Sequence, residues 1–219
     1  MDLLSAYEIT RTRVAAVAAT LDSGDETRVV PACPDWSVHD LLAHMAGIPT
    51  ELTAGRYPTG DVHAWIQDVV AQRRDVPTAQ LLAEWSACGD ALEPILGGGL
   101  LLVDLLVHEH DLRGALGAPG DRDAAELEFA LPIMFDVLGE PLRAASAGSI
   151  AVRDAGTTWQ SDDRKPGWTL LVSPWEATRA LASRRTADEL RALPAEGDVE
   201  PYLSVIEGHL PLPKSSLRE

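Results

Sequence analysis

Asp104, His108 and Asp111 are spaced four and three residues apart within the most apolar segment of the chain. In a helix this spacing places the three side chains on one face. A carboxylate and an imidazole one turn apart are typical of the metal sites that helical bundles build in their interior. A solvent-facing stripe is the alternative, but the large apolar residues at 105–107 and 112 leave little room for one. The favoured interpretation is therefore a metal-binding face.

His44 is the predicted third ligand. A lone histidine on an apolar helix is ordinarily a core residue with a satisfied partner. Two imidazoles and one carboxylate with an open position, however, form the pattern of a catalytic zinc site. His44, Asp104 and His108 are therefore the candidate ligands of one divalent ion. His39 competes with His44, but it lies in the first turn of the same helix, where we expect it to be exposed.

The remaining metal-ligating residue types are less suited to this site. His110 lies about 200° around the helix from His108, so the two cannot ligate one ion without distortion, and we expect His110 to be a surface or satisfied histidine. Cys33 and Cys88 form no CxxC motif and are too few for a disulfide framework. We expect each cysteine to be a buried or half-buried thiol.

The candidate ligands need helices to hold them, and apolar periodicity predicts these helices in the first two thirds of the chain. Ser37 offers an N-cap with Asp40 three residues on, a capping-box-like start for the helix of His44. Gly117, with Pro119 just beyond, ends the most apolar helix. The predicted helices cover residues 2–22, 37–55, 62–74, 78–96, 100–116 and 122–146.

The sequence pattern changes near residue 147. Short β-branched and aromatic runs separated by Gly, Asp and Pro predict a small antiparallel sheet, followed by helices at about 175–183 and 186–193 and a Pro-rich tail. The predicted strands cover residues 149–153, 157–160 and 168–172. We therefore expect a mainly α chain that divides into a helical bundle, 1–147, and a small α+β domain, 148–219.

The chain of 219 residues has a formal net charge of −16 and no compact stripe of Lys or Arg. Such a surface repels phosphate groups, so we expect neither nucleic acid nor an anionic membrane as a partner. No apolar run approaches the ~20 residues that cross a bilayer, and the Met1-Asp2-Leu3-Leu4 start does not resemble a signal peptide. We expect a cytoplasmic protein.

Two segments resemble the motifs of a known family. Val30–Gly47, with the sequence VPACPDWSVHDLLAHMAG, and Asp104–Gly117, with the sequence DLLVHEHDLRGALG, are similar in order and separation to those of the actinobacterial mycothiol-dependent maleylpyruvate isomerase family. That family belongs to the DinB-like group of metal-binding four-helix bundles. Ala182–Thr186 resembles the family's glycine-arginine turn, with Ser183 in place of glycine.

The resemblance implies a DinB-like four-helix bundle over 1–147 that holds a divalent ion, Zn²⁺ in the first instance, on His44, Asp104 and His108. Asp111 would orient His108 or a neighbouring backbone group. The acidic ligand of the family is usually glutamate. Because Asp104 is one methylene shorter, the helices must approach more closely, or a water must bridge, for an oxygen to reach zinc at about 2.0–2.2 Å.

The resemblance also implies mycothiol as a thiol cosubstrate and a small electrophile as substrate. In an isomerase the thiolate would add to a cis double bond and leave again, whereas in an S-transferase it would stay attached. Arg113, Arg184 and Arg185 are the candidate clamps for an anionic substrate such as a dicarboxylate. The alternative is a catalytically silent bundle that binds a small molecule or a protein partner, its metal site lost through the change from glutamate to Asp104.

Overall fold

The computed structural model describes residues 1–217 and 219. Two compact units are present. The first comprises Met1–Gly120 together with Glu219, and the second begins at Asp121.

The first unit is helical except for a small hairpin. Its antiparallel strands are β1 (Val29–Val30) and β2 (Cys33–Ser37), and a short 3-10 helix spans Gly89–Leu92. Its helices are α1 (Leu3–Ala18), α2 (Ser23–Glu26), α3 (Val38–Thr53), α4 (Val62–Ala71), α5 (Thr78–Ser86) and α6 (Leu100–Leu116). α3 packs against α4, α5 and α6, and α6 also packs against α1. The two helices that carry the predicted ligands are thus direct neighbours.

The predicted ends of these two helices are confirmed. The Ser37 hydroxyl accepts a hydrogen bond from the backbone N–H of Asp40, and the Asp40 carboxylate accepts one from the backbone N–H of Ser37, each at 3.0 Å. α3 therefore begins with a reciprocal capping box in which Asp takes the place of Glu. α6 ends at Leu116, where Gly117 adopts a φ of 64° that glycine reaches without steric cost.

Gly47 leaves room on α3 for the end of α4 and the residues that follow it. A Cβ at Gly47 would lie 2.7 Å from Cγ1 of Val69 and 3.0 Å from Cδ of Arg73. Arg73 donates a hydrogen bond of 2.7 Å to the buried carboxylate of Glu51, which Arg56 also binds. The Arg73 guanidinium is thus packed beside α3. In that helix Gly47 leaves the space for it, and Glu51 supplies the opposite charge.

The second unit combines helices with a four-stranded sheet. Its helices are α7 (Leu127–Ala144), α8 (Pro174–Leu181), α9 (Ala187–Ala192) and α10 (Glu200–His209). Its strands are β3 (Ser149–Asp154), β4 (Thr157–Gln160), β5 (Pro166–Leu170) and β6 (Ala195–Gly197), arranged in the order β4-β3-β5-β6. α7 packs against α8 and α10.

The prediction of an antiparallel sheet is wrong for one pair of strands. β3 is antiparallel to β4 but parallel to β5, with Ile150 opposite Trp168 and Val152 opposite Leu170. After β4 the chain adds β5 on the other edge of β3, which makes the sheet mixed. The spacing of apolar residues marks a strand but does not give its direction.

The prediction of a Pro-rich tail after residue 193 is also wrong in its first part. β6 pairs antiparallel with β5, and α10 follows it. Tyr202, Val205 and Ile206 of α10 are buried. Their spacing is that of an amphipathic helix, which buries one apolar face.

The prediction of a mainly α chain is confirmed, whereas the four-helix bundle remains a prediction. The compact units divide after Gly120, while the predicted domain boundary lies near residue 147. The difference concerns α7, which groups with the second unit because it packs against α8 and α10. Among the described residues, every helix is too short or too polar to cross a bilayer.

Candidate metal centre

Three predicted site residues converge between α3 and α6. Nε2 of His44 lies 3.1 Å from Oδ2 of Asp104, and Nε2 of His108 lies 3.4 Å from Oδ1 of the same carboxylate. One ligand atom of each residue lies within 4.8 Å of the other two. The arrangement arises because Asp104 and His108 are one turn apart on α6, and α6 packs against α3.

This cluster has the donor atoms and the spacing that a divalent ion requires. Ligand atoms at about 2.0 Å from a tetrahedral zinc ion are about 3.3 Å from one another. The separations of 3.1 and 3.4 Å between imidazole nitrogens and carboxylate oxygens are close to that value. Two imidazoles and one carboxylate are also the protein ligands of zinc sites that keep an open position. His44, Asp104 and His108 therefore fit a metal ion.

Asp104 reaches both imidazoles although it is one methylene shorter than glutamate. Its side chain exposes 40% of its surface, whereas the side chains of His44 and His108 expose 5% and 9%. The cluster is therefore closed around the imidazoles and open at the carboxylate. An opening of this kind is necessary for a small molecule to approach a bound ion.

The Asp104 carboxyl carries the negative charge of the cluster. The protein around the Asp104 carboxyl raises its pKa by desolvation, but the imidazoles of His44 and His108 outweigh that effect and lower the pKa far below its ordinary range. The carboxylate is consequently ionised throughout the physiological pH range. It supplies the anionic ligand of the set.

Asp111 holds the other face of the His108 ring. Nδ1 of His108 lies 2.9 Å from Oδ2 of Asp111, which is buried. Burial lowers the pKa of His108, but the charge of Asp104 and hydrogen bonds to Asp104, Asp111 and Cys33 raise it well above its ordinary value. A cation bound at Nε2, the nitrogen that faces Asp104, would take the place of the proton there, while Asp111 accepts the proton that stays on Nδ1.

His44 is held differently from His108. Its Nδ1 is buried and has no hydrogen-bond partner within the part of the chain that the structure describes. The Trp36 ring packs against the imidazole with 5.0 Å between ring centroids. Packing, together with the contact of Nε2 with Asp104, therefore sets the position of this ring.

The strand β2 adds two side chains that the sequence did not predict at the site. The ring of Trp36 lies 5.0 Å from that of His44 and 6.3 Å from that of His108. Sγ of Cys33 lies within 4.8 Å of ligand atoms of His108 and Asp111. In the sequence, the feature that could have placed Cys33 and Trp36 at the site is their position just ahead of Ser37, the cap of α3.

The competing histidines lie outside the cluster. Nε2 of His39 lies 2.8 Å from the carbonyl oxygen of Val76, and its side chain is half-buried rather than exposed as predicted. His110 is buried and interacts with its surroundings, as a satisfied histidine does. Neither cysteine forms a disulfide, and Cys33 is half-buried and Cys88 buried, which confirms the prediction of two buried or half-buried thiols.

Arg113, the predicted clamp on α6, is bound to an acidic residue of the same helix. The buried carboxylate of Glu109 accepts hydrogen bonds from Arg113 at 3.2 Å and from Arg13 of α1 at 2.9 Å. This network ties α1 to α6. It does not place Arg113 in the group of His44, Asp104 and His108.

Arg184 and Arg185, the other two predicted clamps, lie in the second unit. Arg185 binds the carboxylate of Glu176 through two nitrogens at 2.6 and 2.9 Å, and its guanidinium lies 5.3 Å from the ring centroid of Trp175. Arg184 is buried and donates a hydrogen bond to the carbonyl of Ala182 at 2.9 Å. Their role toward a substrate remains a prediction.

The fold and the site together define a helical protein with a candidate His-Asp-His metal centre between two neighbouring helices. Residues 7–94 match the model of the mycothiol maleylpyruvate isomerase N-terminal domain. The match supports the predicted family over this segment, which includes the first of the two motifs and ends before the second. The matched segment contains His44 and ends ahead of Asp104 and His108. Neither the curated proteins nor the solved structures contain a significant match to the chain.

Proposed function

We propose that this protein is a metal-dependent and mycothiol-dependent enzyme that isomerises a small electrophile or transfers a thiol to it. The convergence of His44, Asp104 and His108 at metal-ligand spacing is the observation that carries this proposal. The family of the segment 7–94 points to the thiol, since a protein of that family is associated with mycothiol.

His44, Asp104 and His108 would hold the divalent ion, with zinc as the first candidate. A bound zinc ion would lower the pKa of a thiol that coordinates it, so that this thiol is deprotonated at neutral pH. The protein itself supplies the negative charge of Asp104 and a fixed orientation of His108. It also excludes water from the two imidazoles, which are almost fully buried.

Several residues have a defined part in this arrangement. Asp111 keeps the proton of His108 on Nδ1, so that Nε2 faces the cluster as a ligand. Trp36 covers the imidazole rings with its indole. The exposed side of Asp104 is the side from which a thiol and an electrophile can approach.

The reaction then follows from the nucleophilicity of the thiolate. Its sulfur forms a bond to one carbon of an activated cis double bond, and the electron pair of that double bond moves to the activating group. Rotation and expulsion of the thiolate give the trans isomer. Protonation of the adduct instead gives a stable thioether, which is the S-transferase outcome. An anionic substrate would need a cationic group, for which Arg113, Arg184 and Arg185 remain the candidates.

Metal content tests the first part of the proposal. The purified protein is expected to retain, or to take up from zinc buffer, a divalent ion that is lost in His44→Ala and in His108→Ala. His63→Ala, on the exposed start of α4, is the matched control and should keep the ion. Folded protein that takes up no zinc would support the silent binding bundle instead.

Product analysis tests the second part. The zinc-loaded protein is incubated with mycothiol and a panel of electrophiles that includes maleylpyruvate, and the products are identified by mass. A product of unchanged mass but altered geometry indicates isomerisation, and a product heavier by the thiol indicates transfer. Zinc-loaded protein that accelerates neither reaction with any member of the panel would contradict the enzymatic proposal.

A further inference from the structure

A second group of donor atoms meets at His108 and includes Asp111, which contacts the ring at Nδ1. Sγ of Cys33 and a carboxylate oxygen of Asp111 lie within 4.8 Å of each other and of a ring nitrogen of His108. Nδ1 is the nitrogen in contact with Asp111, at 2.9 Å. Nε2 faces Asp104. His108 therefore stands between two donor sets of different composition.

We propose that Cys33, His108 and Asp111 form a separate site for a thiophilic divalent cation, for which Cd²⁺ is the probe. A thiolate ligand favours soft and borderline ions. A set of nitrogen and oxygen donors has a weaker preference for such ions. The site does not depend on the proposed thiol chemistry, because it uses a different nitrogen and a protein thiol.

The backbone holds Cys33 in place for this role. Cys33 pairs with Val30 in the β1–β2 hairpin, and the following Pro34 restricts its backbone to the extended region. Trp36, further along the same strand, packs on the ring of His108. The thiol is half-buried, so an ion can reach it from solvent, while Asp111 is buried and supplies the charge from within.

The tautomer of His108 decides which set can bind. With the proton on Nδ1, donated to Asp111, Nε2 is available to the first set. With the proton on Nε2, directed at Asp104, Nδ1 is available to Cys33 and Asp111. A neutral imidazole has one lone pair at a time, so a cation in the second set withdraws His108 from the first. The shared histidine makes the two sites competitive.

Cadmium titration of the full chain tests this site through the ultraviolet sulfur-to-cadmium charge-transfer band. The band is expected in the unsubstituted protein and in His44→Ala and Asp104→Asn, and it should be lost in Cys33→Ser and His108→Ala. Cys88→Ser is the matched cysteine control and should retain the band. Far-ultraviolet circular dichroism establishes that each variant is folded.

Three results would overturn the proposal. They are an absence of the band in the unsubstituted protein, its persistence in folded Cys33→Ser, and its loss in folded Asp104→Asn, which would place Cys33 in the first set. If Cys33→Ser does not fold, alkylation of the unsubstituted protein gives the answer. Cadmium should protect Cys33 from iodoacetamide in peptide mass spectra, and an unprotected Cys33 would contradict the site.

Discussion

Asp111 contacts His108 at Nδ1 with a separation of 2.9 Å, while Nε2 of the same ring faces Asp104 at 3.4 Å. The two carboxylates thus act on opposite nitrogens of one imidazole, and both lie on α6. Asp111 can accept the proton on Nδ1, while Asp104 and the lone pair on Nε2 can bind the same cation. This division of roles is common for histidines that bind metals.

Asp111→Asn should weaken zinc binding without unfolding the protein. The amide has the size of the carboxylate but no charge, so it no longer fixes the proton of His108 on Nδ1. Loss of such a partner lowers metal affinity by about 10–100-fold. Competition with a chromophoric chelator measures the change, and Asp68→Asn on the exposed face of α4 is the control. Equal zinc affinities for Asp111→Asn and the unsubstituted protein would exclude this role.

Substitutions at Asp104 separate the effect of charge from that of length. Asp104→Asn removes the anionic ligand and should lower zinc affinity by more than about 100-fold, since a direct ligand contributes more than its supporting partner. Asp104→Glu retains the charge, and the half-exposed position has room for one methylene. We expect Asp104→Glu to bind zinc within about tenfold of the unsubstituted protein, because a carboxylate ligates in either case. Strong binding by Asp104→Asn would show that this residue is not a ligand.

The local part of the site could be predicted from the sequence, because a helix fixes which side chains share a face. Asp104, His108 and Asp111 follow helical spacing, and the cap at Ser37 fixed the start of the helix that carries His44. The contact between His44 and Asp104 spans 60 residues of sequence. It could be inferred only from the need for a third ligand and from the family motif.

The parts that sequence analysis missed depend on tertiary contacts. Cys33 and Trp36 lie in a short segment with two prolines, between the predicted helices 2–22 and 37–55. Hairpin pairing with β1 places this segment against the histidines. The parallel pairing of β3 and β5 depends on which edge of β3 the chain returns to. Such choices are made by packing and leave no periodic signal in the sequence.

Because of Glu51, the stability of the protein should fall as the pH becomes acidic. Hydrogen bonding to Arg56, the largest effect, acts with Arg73 against desolvation to lower the pKa of Glu51 from 4.5 to about 2. Because the folded-state pKa is the lower one, the stabilisation is present above about pH 4.5 and disappears as the pH falls toward 2. Glu51→Gln should therefore reduce the free energy of unfolding by about 2 kcal/mol at pH 7.

Urea denaturation at pH 7 and pH 3 measures this effect. The difference between Glu51→Gln and the unsubstituted protein should shrink at the lower pH, because the Glu51 carboxyl is then protonated in the unfolded chain and folding has to release that proton. Glu140→Gln is the control, because Glu140 pairs with Arg143 on the surface with 78% of its side chain exposed. A surface pair contributes at most about 1 kcal/mol. A pH-independent difference for Glu51→Gln would contradict the assignment of the low pKa to this carboxyl.

Gly47→Ala should destabilise the protein although alanine favours helices. An exposed glycine-to-alanine change in a helix gains about 1 kcal/mol. At Gly47 the new methyl group would lie 2.7 Å from Val69 and 3.0 Å from Arg73. Displacing packed neighbours costs about 1–3 kcal/mol, and the shift of Arg73 also disturbs its bond to Glu51. We expect the net effect to be a loss of stability and a lower melting temperature.

Gly114→Ala on α6 is the matched comparison for this prediction. A Cβ there meets nothing closer than 3.7 Å, which is an ordinary contact distance. Its thermal unfolding temperature should equal or exceed that of the unsubstituted protein, because the gain in helix propensity is not offset by a clash. If Gly47→Ala raised the melting temperature as Gly114→Ala does, the close approach of Val69 and Arg73 to α3 would be wrong.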